Sequence, residues 1–262
     1  HTVSFPVTIM GSGEPWKLVD RLKAFNWVTW YGGKFSTSSK RGIFMDQALD
    51  LLPADYWRWY LMANAPESAD AAFTLEGLQS TVNADLANVY GNLVNRITKF
   101  AASKMEGRVP EAGVAGPDEA ALAARLSEAI ANLTRFHEEM EFRKAAAELR
   151  ALWVAGNEYV QAAAPWSALK TDPDRAAVIV RTALNLIVVQ SILALPFIPQ
   201  TAGRVLDALN IPQANRRWPL ASDTGLLDAL PRGMAFNAPD VLFAKIEDAQ
   251  VAEWTARFGG NP

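Results

Sequence analysis

Three polar side chains recur every fourth residue in the middle of the chain: Asn88, Asn92 and Arg96. On a helix turning ~100° per residue, that spacing aligns them as one ridge. Two amides and a guanidinium at fixed intervals offer donors and acceptors that match the edge of a nucleic-acid base. A solvated helix face would carry the same residues. Asn88, Asn92 and the neighbouring Asn95 are mediocre helix formers, because their side chains compete for backbone hydrogen bonds, so packing or recognition must supply a reason for them. A second cluster, Gly32-Gly33-Lys34-Phe35-Ser36-Thr37-Ser38-Ser39-Lys40-Arg41-Gly42, sets hydroxyls among cations behind paired glycines. That composition suits a mobile loop that wraps an anion, and equally an ordinary polar hairpin.

The ridge needs a long helix to carry it, and residues 73–108 supply the pattern. Leu75, Leu78, Val82, Leu86, Val89, Leu93, Ile97 and Phe100 fall on one apolar stripe beside it. Thr74 is placed as N-cap, with Phe73 and Leu78 as a hydrophobic staple; Gly107 and Pro110 end the run. Upstream, β-branched residues 1–9 read as a strand broken by Gly11-Ser12-Gly13, residues 16–23 as a brief helix, and residues 25–31 as a second strand. Residues 46–52 and 55–63 read as short helices split by Pro53. The aromatics of the second, Tyr56, Trp57, Trp59 and Tyr60, suit a core better than a stacking platform. Residues 64–72 read as a loop.

Beyond a Gly/Pro/Ala-rich linker at 111–117, helices are expected at 118–136 behind a carboxylate cap, at 141–164 ending on Pro165-Trp166, at 175–195 after a linker opened by Pro173, and near 199–209. An irregular Pro-rich stretch, 211–219, follows, and the tail 239–258 reads as helical. Four or five long helices on short links make an antiparallel bundle.

Composition narrows the chemistry. Of 262 residues, half are hydrophobic and a fifth charged, enough for one large domain and a smaller piece. A net charge of −3 argues against indiscriminate nucleic-acid binding but leaves a selective contact open. The absence of cysteine excludes disulfides, thiol catalysis and cysteine zinc sites. His1 and His137 are too few and too far apart for a histidine metal site. Residues 178–199 approach membrane-like hydrophobicity, but Arg181, Asn185 and Gln190 interrupt them and Pro196 and Pro199 close them, as in a buried bundle helix. A first residue other than Met, with no basic-then-apolar leader, reads as a start inside a longer, cytoplasmic product.

Gly33-Lys34-Phe35-Ser36-Thr37-Ser38 resembles the KMSKS signature loop of class I aminoacyl-tRNA synthetases, and the chain is similar to methionyl-tRNA synthetases over essentially its whole length. Matching segments follow in order: that loop, Ala54-Asp55-Tyr56-Trp57-Arg58-Trp59-Tyr60, Val82-Asn83-Ala84-Asp85-Leu86-Ala87-Asn88, Ala164-Pro165-Trp166 and Phe243-Ala244-Lys245-Ile246-Glu247. The resemblance implies a mainly α fold: the last α/β part of a Rossmann-type catalytic domain (1–45, with the loop), a connecting segment beside the tRNA stem (46–73) and a helical-bundle anticodon-binding domain (74–262). It assigns Asn88, Asn92, Arg96 and Trp166 to the anticodon, the first three along base edges and the indole by stacking.

By the same resemblance, Lys34, Ser36, Thr37 and Ser38 belong to a loop that closes over the triphosphate of ATP. Thr37 replaces the second lysine of the pattern, a point charge that Lys40 or Arg41 could restore. His1 and Phe5 match a segment lining the methionine pocket. The implied substrates are ATP (with Mg2+), methionine and tRNA(Met), all for the intact enzyme; the implied protein is a monomer, with no metal site in this chain and no membrane. No HIGH-type motif occurs in these residues, so the chain alone is not expected to aminoacylate. Another class I synthetase with a helical anticodon domain, or a non-catalytic helical interaction module, would share much of this pattern.

Overall fold

The structure is a computed structural model that describes residues 1–259. It opens with α1 (Ser4–Gly11), where a strand was expected. The β-branched run does not form one because strand propensity expresses packing on a pleated surface, and no neighbouring strand reaches it. Instead the Thr8 hydroxyl bonds back to the Ser4 carbonyl, and Ser12 closes the helix on the Ile9 carbonyl. Residues 16–23 are not helical either: Trp16, Leu18, Val19 and Leu22 are exposed, so no buried face rewards a short helix for its nucleation cost.

Strand β1 (Val28–Trp30) pairs in parallel with β2 (Ala71–Phe73), in the register Val28↔Ala71, Thr29↔Ala72, Trp30↔Phe73. The pairing draws 71–73 out of the expected loop and helix. Between the strands run α2 (Met45–Leu51) and α3 (Ala54–Ala63), a crossover of the kind parallel strands require. The α3 aromatics are core: Tyr56, Trp57, Trp59 and Tyr60 are buried, and the Trp57 indole donates to the Ala48 carbonyl at 2.8 Å. Arg58 reaches across to the Phe197 and Pro196 carbonyls at 3.0 and 2.6 Å, tying this crossover to the helical bundle.

The long rod follows as α4 (Leu75–Thr81), a π-helical stretch (Val82–Gly91) and α5 (Asn92–Lys104). The Thr74 hydroxyl caps it by accepting the Gly77 N–H. Each i→i+5 turn holds one more residue than an α turn, and the apolar stripe shifts accordingly. Tyr90, Val94 and Ala101 are fully buried, while the expected Val89 and Phe100 are only half-buried. Gly91 ends the wide turn where a side chain would crowd the Leu86 carbonyl, its Cβ coming to 2.9 Å.

The bundle proper comprises α6 (Pro117–Glu138), α7 (Phe142–Ala163), α8 (Pro165–Thr171), α9 (Pro173–Ala194) and α10 (Pro199–Ala208). Gly116, rather than a carboxylate, caps α6, with Glu119 reaching back to its N–H at 2.7 Å. Pro165 and Pro173 do more than end helices: each is the first residue of the next, where a missing N–H and fixed φ cost nothing. Asp172 caps α9 through the Arg175 N–H. Helix α9 is long and apolar enough to cross a membrane, yet 94% of its most apolar window is buried against the other helices. Two of its polar residues are fully engaged: Arg181 binds Asp228 and three backbone carbonyls, and Asn185 donates to Arg181 and accepts from Leu230.

The tail is helical only over α11 (Asp248–Phe258). Residues 241–247 form a strap along the rod, held by the Asn83 amide, which both donates to the Ile246 carbonyl and accepts its N–H. Ile246 thus has both backbone groups bonded outside any helix.

Candidate functional site

The cationic cluster forms a tight hairpin beyond β1. Tyr31 and Gly32 take left-handed backbone conformations, at φ 48° and 80°, and Trp30 and Gly33 exchange two backbone hydrogen bonds. Ser36 and Arg41 then pair at 3.0 and 2.8 Å around a turn closed by Lys40 N–H on the Thr37 carbonyl. The Ser36 hydroxyl accepts the Ser39 N–H and lies 3.2 Å from the Ser38 hydroxyl. Lys34, Thr37, Ser38 and Lys40 are exposed. Arg41 is not: its guanidinium folds over Gly33, where a Cβ would come within 2.2 Å, and donates to the Trp30 carbonyl at 3.3 Å. Beside the hairpin an open cavity of about 710 Å³ is lined by Trp27, Val28, Thr29, Gly32–Phe35 and Asp70. Gly42 N–H bonds to the Phe258 carbonyl, so the base of the hairpin rests on the end of α11.

His1 precedes α1 and Phe5 lies on it; both are exposed, Phe5 by 65%, and neither lines the hairpin cavity.

The ridge stands apart from the hairpin and divides into two linked parts. Asn88, exposed, and Asn92, half-buried, line a groove of about 380 Å³ with Gly91 and Asn95, facing Val241, Leu242 and Phe243 of the strap. One turn on, the Arg96 guanidinium sits 4.7 Å from the centre of the half-buried Trp166 ring, within cation–π range. Trp166 stands at the start of α8 because Ala164 turns the chain through a left-handed conformation, φ 44°. Sequence reasoning missed the residues that hold the ridge from α7. Asn92 Nδ2 faces Asn157 Oδ1 at 3.4 Å, and Arg96 Nη2 faces Gln161 Oε1 at 3.3 Å. Asn157 and Gln161 repeat the four-residue step of Asn92 and Arg96, a signal legible only once α5 and α7 are known to lie side by side.

Where α6, α7 and α9 meet, a buried carboxylate ties the bundle together. Glu119, 3% exposed, accepts both contacts of Arg175 Nη1 at 2.8 Å, the Gly116 N–H and the Tyr159 hydroxyl. Burial alone would raise this carboxyl; the bonds from Arg175, Tyr159 and Gly116 outweigh it and hold the group below its ordinary value. Burial, reinforced by Glu119, pushes the Tyr159 hydroxyl up. His137, between the rings of Phe197 and Trp218, has its basicity lowered by burial. Among the described residues no group of three or more His, Asp or Glu side chains is placed to hold a metal.

A hairpin bearing exposed lysines after a parallel strand, joined to a bundle that carries an amide–guanidinium–indole face, is the arrangement of a class I aminoacyl-tRNA synthetase. Residues 1–98 match the family described as tRNA synthetases class I (M), and residues 109–262 the anticodon binding domain of methionyl tRNA ligase. The chain belongs to the methionyl-tRNA synthetase family. It is 64% identical to the methionine–tRNA ligase of Hyphomonas neptunium over 265 aligned residues, all of this chain and 46% of that protein. The Maricaulis maris methionine–tRNA ligase is likewise 64% identical, with the same coverage. The chain thus spans about half the length of these curated relatives. Among solved structures, Mycobacterium tuberculosis methionyl-tRNA synthetase in its free state superposes with a TM-score of 0.76 at 22% identity, over 94% of this chain and 47% of that one. Its complex with methionyl-adenylate gives 0.75 at 26% identity, over 92% and 47%.

Proposed function

We propose that this chain serves an ATP-dependent methionine–tRNA ligase, contributing the hairpin that attends the triphosphate and the face that reads the anticodon of tRNA(Met). In this reading residues 1–45 complete a catalytic domain, 46–73 lie against the tRNA stem and 74–262 bind the anticodon. The protein acts as a cytoplasmic monomer. The exposed apolar side chains of residues 1–27, among them Val3, Phe5, Val7, Trp16 and Trp27, support a surface covered by further catalytic-domain structure, which would hold adenine and most of the methionine pocket. His1 and Phe5 belong to that surface.

Activation is the in-line attack of the methionine carboxylate on the α-phosphorus, with pyrophosphate leaving, and Mg2+ would share the phosphate charge. Positioning and cationic stabilisation do most of the work in such a step. Lys34 and Lys40 are the exposed ammonium groups of the hairpin, whereas the Arg41 guanidinium folds over Gly33 onto the Trp30 carbonyl; Lys40 is therefore assigned the place of the lysine that Thr37 lacks. Ser36, Thr37 and Ser38 shape the turn and offer hydroxyls to the phosphates.

The observation that carries the anticodon assignment is the Arg96–Trp166 stack beside the Asn88–Asn92 groove. A guanidinium beside a π surface, one helical turn from two amides in a groove, supports contact with unpaired bases. Binding of this chain to tRNA(Met) transcripts, at fixed salt, tests it. Arg96→Ala and Trp166→Ala should each cost about 1–3 kcal/mol for the CAU anticodon and little for transcripts with a changed anticodon. An equal loss for every transcript would reduce both residues to backbone contacts and defeat the assignment.

A further inference from the structure

We propose that Asn157 is a positioning residue that fixes which end of the Asn92 amide faces the groove, and that it does so in favour of the carbonyl oxygen. The inference rests on the reading that Asn92 meets an anticodon base. An asparagine that reads a base must present either its acceptor or its donor, because a freely flipping amide serves amino and keto groups alike. Asn92 lies at the junction where the π stretch gives way to α5, and nothing on its own helix selects one flip.

The selection comes from α7. Asn157 Nδ2 lies 3.1 Å from the Val89 carbonyl and 3.0 Å from the Trp153 carbonyl. Both of those oxygens are backbone and can only accept, so the amide nitrogen of Asn157 must point at them; the opposite flip would set three oxygens against one another. With both N–H bonds spent, Asn157 turns its oxygen outward, 3.4 Å from Asn92 Nδ2. That contact draws the Asn92 nitrogen toward α7 and leaves its oxygen toward the groove lined by Asn88, Gly91 and Asn95.

The ligand chemistry follows. An acceptor held in the groove suits a base that offers an exocyclic amino group, as cytosine and adenine do, and disfavours a keto group at the same place. Val89 belongs to the π stretch, and its carbonyl already takes the Asn92 N–H. The wide turn thus brings backbone and Asn92 side chain under the control of a single residue on the neighbouring helix.

The test measures the affinity of the intact enzyme for tRNA(Met) with the CAU anticodon, with cytosine changed to uracil, and with adenine changed to hypoxanthine. It is run for the parent, Asn92→Ala, Asn157→Ala and the double variant, with melting followed in parallel. Asn157→Ser stands in should the alanine variant fail to fold. The parent should prefer the amino-bearing base about tenfold or more at one of the two positions, the scale of one good base-edge contact. Asn157→Ala should reduce that preference to threefold or less, leave the preference at the other position intact, and add nothing in the absence of the Asn92 amide. A simple loss of packing would weaken all of these tRNAs together. If Asn92→Ala abolishes the preference and Asn157→Ala leaves it unchanged, or if the two losses add, the positioning role is overturned while the anticodon reading stands. If Asn92→Ala changes no preference, the anticodon reading of Asn92 falls, and the positioning role with it.

Discussion

Glu119→Gln separates charge from shape at the point where α6, α7 and α9 meet. The carboxylate is 3% exposed and takes four hydrogen bonds, two from Arg175 Nη1 at 2.8 Å, one from Gly116 N–H at 2.7 Å and one from the Tyr159 hydroxyl. A glutamine amide fits the same space but replaces one oxygen with a donor. The Tyr159 hydroxyl can rotate to accept from it; Arg175 Nη1, which touches both oxygens, cannot. The variant thus loses one charge-assisted bond outright and the ionic part of the rest, worth about 1.5–3 kcal/mol per bond to a charged group. Arg175 keeps Asp118 at 3.0 Å and is partly exposed, so the penalty of stranding its charge stays well below that of a fully buried pair. A total of about 2–4 kcal/mol lowers the melting temperature by about 4–16 °C at the size-scaled sensitivity of a 150–250-residue protein. The pH dependence carries the sharper signature. Since the folded carboxyl titrates below its ordinary value of 4.5, its contribution is complete above that pH and is lost as pH falls through the folded value. Thermal melts by circular dichroism between pH 7.5 and 3.5 should show the gap between parent and variant closing on the acid side. A gap that is constant with pH, or under about 1 °C at neutrality, would refute the charge argument.

Replacing His137 with phenylalanine should flatten stability below pH 6.5, because burial lowers its basicity: the unfolded chain takes up the proton first, so the parent loses stability as pH falls through that window. Denaturant titrations at pH 7.5 and 5.5 report the difference, and equal slopes for both proteins would contradict it. Gly156→Ala would bring a Cβ to 2.8 Å from Leu93 Cδ2 and 3.0 Å from Gln190 Nε2. Overpacking of about 1–3 kcal/mol, offset by up to about 1 kcal/mol of helix propensity, leaves a net loss near 1 kcal/mol; a higher melting temperature would show that the α5–α7–α9 crossing has room. In the intact enzyme Lys40→Ala should slow pyrophosphate exchange about tenfold or more without altering the melt. For Arg41→Ala the melt should move first, and unchanged exchange in Lys40→Ala would disprove the substitution of Lys40 for the missing lysine.

What the sequence made legible were signals written locally. Thr74 caps the rod, Pro53 splits two helices, and the α3 aromatics are core, each for reasons contained within a few residues. The losses are tertiary. Residues 1–9 have the composition of a strand but no partner, so they coil into α1. Phe73 reads as part of a helix because nothing nearby announces that Trp30, forty-three positions earlier, pairs with it. Residues 241–247 are irregular, pinned where Asn83 takes both backbone groups of Ile246 and Tyr56 the Ala244 carbonyl, and residues 82–91 widen into π turns that no single-period stripe anticipates. The resemblance chose Asn88, Asn92, Arg96 and Trp166 as a set to inspect; the structure brings Arg96 to Trp166 and sets Asn88 and Asn92 in one groove. Asn157 and Gln161 were silent, since a polar residue on a helix says nothing until the opposing helix is known.

The position of the ridge is inherited from the core beneath it. A contact of 3.4 Å between two amides is too weak to set the separation of α5 from α7. Two residues before Asn92, the buried ring of Tyr90 packs 4.9 Å from Trp153, which in turn lies 4.7 Å from Trp59; Trp153 sits one turn ahead of Asn157. This aromatic stack, wholly inside the protein, fixes the two helices at the level where the amides meet, and close packing transmits any change there directly. The dependence runs one way. Trimming Asn92 or Arg96 removes half-buried polar groups and leaves the stack intact, so such variants should fold, and any change should show in tRNA binding rather than in the melt. Trimming Tyr90 or Trp153 should move both helices, and with them the ridge, even though neither ring lines the groove.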